Sequence, residues 1–146
     1  MRVREIQEGD IESCAQLYMQ VFSDEPWNEN WSYSAALERL VHFYHSKGFV
    51  GALAEDQGVV SFALGNTEPY CSGAFFYLRE MCTKKDVQGK GVGKKVLRCL
   101  ESNLQLIDVQ HIYLITKRDI PAANFYLGCG FAESEEVAFY SKSVGI

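Results

Sequence analysis

Between Gly73 and Leu104 the hydrophobic period changes once, and that change limits what the chain can fold into. GAFFYLREMCT (73–83) is a long strand-like run rich in aromatics. After KKDVQGKG, Val92, Val96, Leu100 and Leu104 recur every four residues and so share one face of a helix. The junction holds Gly89, Gly91 and Gly93 together with Lys90, Lys94 and Lys95. A strand, a glycine-rich turn and a helix start together form an anion site. The first helical turn leaves N–H groups unpaired, the helix dipole adds positive character, and glycine lets the backbone approach an oxyanion closely.

The rest of the chain fits a mixed α/β (α+β) order. RVREIQ reads as a first strand. Asp10 is placed to cap a helix carrying Ile11, Cys14, Leu17, Tyr18 and Val21 on one face. SDEPWNENWS breaks the pattern around Pro26, and Ser32 or Ser34 can cap a second helix with Leu37, Leu40, Val41 and Tyr44, closed by Gly48. FVGALAE and VVSFALGN flank DQG, the signature of a hairpin. HIYLIT reads as a further strand, and IPAANFYLGCG as a short helix with proline in its first turn. GFAESEEVAFYSKSV reads as a final strand pair around an acidic turn. The expected order is strand, two helices, three strands, helix, strand, helix, two strands, in a single domain over residues 1–146.

Composition narrows the function classes. A formal net charge of −5 argues against a nucleic-acid partner. Six cations between Lys84 and Arg98 face only Asp86 there, so the acidic total hides a local positive patch. Cys14, Cys71, Cys82, Cys99 and Cys129 are odd in number and form no CxxC pair, which fits reduced thiols. His42, His45 and His111 have no matching ligand set, so no metal is expected. No apolar run reaches the roughly 20 residues of a membrane span, and no signal-like segment is visible, so a cytoplasmic location is expected.

Phosphate motifs can be tested one at a time against VQGKGVGKKV. A P-loop would need glycine at Gln88 and a hydroxyl at Lys95. The dinucleotide fingerprint would need glycine at Lys94. The pattern Gln/Arg-x-x-Gly-x-Gly/Ala fits Gln88, Gly91 and Gly93 without a gap. That pattern, in its strand–loop–helix setting, resembles the GCN5-related N-acetyltransferase (GNAT) superfamily. DIPAANFYLGCGF resembles the family's later element through Ala122, Phe125, Tyr126, Gly130 and Phe131. Asp119 departs from it, standing where asparagine is common.

The resemblance implies a GNAT-like fold, with a strongly twisted mixed sheet and helices on both faces. It also implies direct transfer of an acetyl group from acetyl-CoA to a primary amine. Main-chain groups of Met81, Cys82 and Thr83 would bind the pantetheine arm as an added strand. The amides of Gln88, Gly89, Lys90, Gly91, Val92, Gly93 and Lys94 would cradle the pyrophosphate. Lys84, Lys85 or Lys90 either meet the 3′-phosphate or are solvated. Tyr126 would supply a proton to the departing thiolate, and a bulge near Cys82 would free an oxyanion donor. Glu80 is either a base (or holder of a proton-carrying water) or the partner of Arg79 or another cation. Cys82 is expected to be a buried small residue rather than a nucleophile.

The acceptor region is expected in FSDEPWNENW. Trp27, Trp31 and Glu25 either line a pocket for a cationic amine, of aminoglycoside- or polyamine-like chemistry, or serve to anchor the loop. The alternatives are a peptide acetyltransferase and a non-catalytic acyl-CoA-binding module. A homodimer is compatible with the resemblance.

Overall fold

The computed structural model describes residues 1–145, and the chain divides into two units, Met1–Ile115 and Thr116–Ile146. The first runs β1 (Arg2–Glu5), α1 (Ile11–Ser23), α2 (Tyr33–Tyr44), β2 (Phe49–Glu55), β3 (Val59–Tyr70), β4 (Gly73–Thr83), α3 (Val92–Leu106) and β5 (Val109–Tyr113). These strands form one sheet in the order β1-β2-β3-β4-β5. Neighbours are antiparallel except β4 and β5, which are parallel. A parallel neighbour needs a crossover, and α3 supplies it.

Each face of the sheet has its own core. Leu53, Phe62, Leu64 and Cys82 pack with Ile11, Cys14, Leu17, Tyr18, Leu40 and Phe43 of α1 and α2. The intervening positions Ala52, Ala54 and Ala63 are buried too and, by strand alternation, face the other way. On that side α3 contacts all five strands and buries Val92, Val96, Leu97, Leu100 and Leu104. Burying each of these side chains contributes about 1.5–3 kcal/mol.

Caps and boundaries follow local chemistry. Ser32 caps α2 by accepting from the Ala35 N–H at 3.1 Å. Asp10 stands at the start of α1 but makes no side-chain cap. Its carboxylate accepts from the Gln7 N–H at 2.7 Å and from both terminal nitrogens of Arg4 at 2.8 Å, and those charge-assisted bonds displace the cap. The strand expected over 111–116 lies two residues earlier and ends at Tyr113.

In the second unit, α4 (Pro121–Gly128) has proline at its first turn, where a missing N–H costs nothing. The final strand pair expected after Phe131 is not formed: residues 131–145 contain no strand. Val137 and Phe139 are exposed, and so are Tyr140 and Val144 on the other parity. With neither set buried, a two-stranded ribbon lacks the apolar face that would stabilise it. The Ser134 hydroxyl instead accepts from the Glu136 and Val137 N–H groups in a local turn.

Candidate active site

The site begins with an irregularity in β4. Leu64 of β3 pairs with Glu80, but the next residue, Gly65, pairs with Leu78. Arg79 is therefore the extra residue of a β-bulge. Its effect on side-chain direction is decisive. Glu80 and Cys82 face α1 and α2 with Leu64, whereas Leu78 follows Gly65 to the α3 side. The bulge lies between Leu78 and Glu80, a little earlier in β4 than the position near Cys82 read from the sequence.

Beyond the bulge β4 loses a neighbour. Its pairing with β5 runs from Ala74↔Val109 to Tyr77↔Tyr113, and β5 then ends. From Leu78 to Thr83 the strand continues with β3 as its ladder partner. The backbone at Met81, Cys82 and Thr83 thus presents a strand edge on the β5 side, suited to an extended ligand. Two hydroxyls brace the strand end. Ser61, fully buried in β3, donates to the Cys82 carbonyl at 3.1 Å, and its Oγ lies 2.8 Å from Thr83 Oγ1. Ser61 was not foreseen, although a lone hydroxyl within VVSFAL was a legible clue.

The strand edge leads straight into the glycine-rich loop. A 3₁₀ turn at Lys85–Val87 precedes Gln88, and α3 starts after Gly91. Gly89 and Gly91 both adopt left-handed backbone, with φ of 77° and 80°. A Cβ on either would meet nothing within 4 Å, so the protein leaves the space above them open. The first i→i−4 bond of α3 runs from the Lys95 N–H to the Gly91 carbonyl at 3.1 Å. The amides of Val92, Gly93 and Lys94 precede it and are available to an anion. The Gln88 side-chain amide donates to the Thr83 carbonyl at 2.9 Å and ties the loop to the strand. Lys84 and Lys85 lie beside Asp86 and Asp24, at 3.9 and 3.2 Å, while Lys90 and Lys94 are exposed.

Glu80 sits below this edge, 8% exposed. Its ion-pair partner is Arg39 of α2, whose Nε donates to Oε1 at 2.6 Å. Arg79, its sequence neighbour, turns away over the rings of Tyr77 and Phe43, at 4.0 and 5.4 Å. The Tyr18 hydroxyl also acts on the carboxylate, favouring its ionised form. Burial pushes the Glu80 carboxyl above the usual carboxylate range, while Arg39 and Tyr18 pull the other way. Cys82 is buried on the same face, and burial pushes its thiol well up, which suits a packing role.

Both tryptophans reach from the α1–α2 loop onto α1. Trp27 packs on Phe22 with ring centres 5.1 Å apart, and Trp31 meets the edge of Tyr18 at 4.9 Å. The Trp31 indole N–H donates to Glu29 at 2.8 Å. Glu29 is the acid of this loop whose charge is felt at Tyr18 and Glu80. Glu25 is exposed. Glu29, rather than the Glu25 singled out in the sequence, is thus the loop acid that acts on the buried carboxylate.

In the second unit, Tyr126 packs edge-on against Phe125 and Phe131, at 5.3 and 5.5 Å, and its carbonyl accepts from the Phe131 N–H. Asp119 holds φ of 59° just before α4. Aspartate, like asparagine, tolerates that left-handed backbone, so the substitution keeps the turn. Among the described residues no group of His, Cys, Asp and Glu could hold a metal ion, and no helix is long and apolar enough to cross a membrane.

A split strand pair feeding a glycine-lined helix start defines a mixed α/β class of protein. The Acetyltransferase (GNAT) family model matches residues 11–131, and the chain belongs to that family. Among curated proteins, none matches the sequence significantly. Solved structures do. A putative acetyltransferase from Agrobacterium tumefaciens superposes with a TM-score of 0.77 at 20% identity, over 98% of this chain and 100% of that one. An aminoglycoside acetyltransferase from an uncultured soil metagenomic sample, in complex with sisomicin, gives 0.77 at 14%, over 99% and 96%. The aminoglycoside N-acetyltransferase AAC(6')-Iy, in complex with CoA, gives 0.76 at 17%, over 98% and 95%. At these identities the likeness establishes the fold.

Proposed function

We propose that the chain is an acetyl-CoA-dependent N-acetyltransferase acting on the primary amine of a small cationic acceptor, of aminoglycoside- or polyamine-like chemistry. The observation that carries this reading is the β4 edge, open from Leu78 and continuous with the Gly89–Gly91 loop. Main-chain groups of Met81, Cys82 and Thr83 hold the pantetheine arm, and the amides from Gln88 to Lys94 hold the pyrophosphate. Acetyl-CoA, when bound, supplies a thioester carbonyl to the amine.

An alkylammonium with a pKa near 10.4 must lose a proton before it can attack. Glu80 takes it, directly or through one water. The new C–N bond forms as the C–S bond breaks; Tyr126 gives its proton to the sulfur and is reprotonated by the second proton that the new amide nitrogen sheds. Glu29 and Trp31, with the acidic loop around them, favour a cationic acceptor over a neutral one. Support comes from family membership and from an aminoglycoside acetyltransferase of the same fold. The test is CoA release across monoamines, polyamines, aminoglycosides and peptides, together with the melting temperature with and without acetyl-CoA. A melting temperature that ignores acetyl-CoA overturns the cofactor assignment. Release with peptides alone overturns the acceptor class.

A further inference from the structure

Resting on the acetyl-transfer reading, we infer that Arg39 is a positioning residue for the reaction: it holds Glu80 ionised and oriented at the β4 bulge. The bulge turns Glu80 toward the α1–α2 side, where water is scarce and a lone carboxylate would take up a proton. The groups that face it are few. Tyr18 approaches from α1, Arg39 from α2 and Glu29 from the connecting loop, while Cys82 follows on its own strand. Arg39 is the cation that acts most strongly on Glu80, and it is the one bonded to it.

Arg39 is itself held on two sides. Its guanidinium lies 5.0 Å from the centre of the Phe43 ring and donates through Nε to one carboxylate oxygen. That one-point bond anchors Oε1 and leaves the second oxygen outside the Arg39 contact. The Arg39 side chain is 43% exposed against 9% for Glu80, so the pair spans from solvent to the buried strand. Such a link lets Arg39 be exchanged without opening the core.

The experiment compares wild type, Arg39→Met and Arg39→Lys, with Arg39→Gln as a second uncharged replacement. Two quantities are read: the titration of the Glu80 carboxyl by carbon NMR, assigned with Glu80→Gln, and the pH profile of kcat/KM with a turned-over amine. In Arg39→Met the Glu80 titration and the acid limb of the profile both move to higher pH by about one unit. That shift costs roughly tenfold in kcat/KM on the acid side. Arg39→Lys restores most of it, and acetyl-CoA affinity stays within about twofold. A Glu80 titration that does not move overturns the inference whatever the activity. So does a titration that moves while the acid limb stays in place, which leaves the pair purely structural. A wild type that releases no CoA with any amine overturns the acetyl-transfer reading itself, before any variant is compared.

Discussion

Gly65→Ala tests whether the bulge is fixed by space. Gly65 stands opposite Leu78, immediately after the residue that pairs with Glu80. A Cβ built there would lie 1.9 Å from the Tyr77 carbonyl oxygen and 2.9 Å from Phe76 Cζ. Carbon–oxygen contacts start near 3 Å, so the Tyr77 peptide must retreat by roughly 1 Å. Tyr77 has little room to do so, because it is the last residue of β4 paired to β5. Phe76 cannot yield either, being fully buried. Overpacking of this kind costs about 1–3 kcal/mol. Opening one or two ladder hydrogen bonds around the bulge adds about 1 kcal/mol each. The expected loss is about 3 kcal/mol, or a fall in Tm of roughly 10 °C for a chain of this size. Thermal and urea unfolding followed by circular dichroism measure it. Gly91→Ala is the control: its φ is 80° but nothing lies within 4 Å, so it carries only the left-handed penalty of about 1–2 kcal/mol. A Gly65→Ala protein within 1 kcal/mol of wild type would refute the reasoning.

Two further outcomes are expected. Tyr126→Phe lowers kcat by roughly 10²-fold with little change in acetyl-CoA affinity, read by steady-state CoA release and equilibrium binding; unchanged turnover removes Tyr126 from the reaction. Arg4→Met loses bonds to Asp10 and Glu55 and costs about 2 kcal/mol. The Arg4 hydrogen bond lowers the Asp10 carboxyl from its ordinary 3.8, so its stabilisation is present above that value and is lost as pH falls through the folded one. Urea midpoints from pH 2 to 6 should therefore fall less steeply on the acid side in Arg4→Met than in wild type. Parallel curves contradict the assignment.

What the sequence revealed depended on how local the cause was. FVGALAE and GAFFYLREMCT coincide with β2 and β4, since an apolar run between turn residues is its own signal. The start of α3 was legible for the same reason: its cap and its period are neighbours. The bulge was hidden, because Phe76 and Leu78 are as apolar as Cys82 and continue the same parity. Only pairing with β3 reveals that they face opposite sides. The Arg39–Glu80 bond joins residues 41 apart, and no local pattern could choose Arg39 over the adjacent Arg79. The expected last strands failed where apolar residues of both parities stay exposed, a tertiary outcome that alternation cannot foresee.

The early end of β5 has an evolutionary consequence. A strand edge recognises through peptide groups, which every residue type carries alike. Such a grip is written in lengths and offsets: where one strand stops, where its neighbour gains a residue, where a helix begins. Under the proposed pantetheine contact, substitution can therefore run through the side chains of Met81, Cys82 and Thr83 while the contact geometry stands. Relatives sharing 14–20% of their residues can then keep superposable frameworks. The change that drift could not absorb would be a single inserted residue between Tyr77 and Gly89.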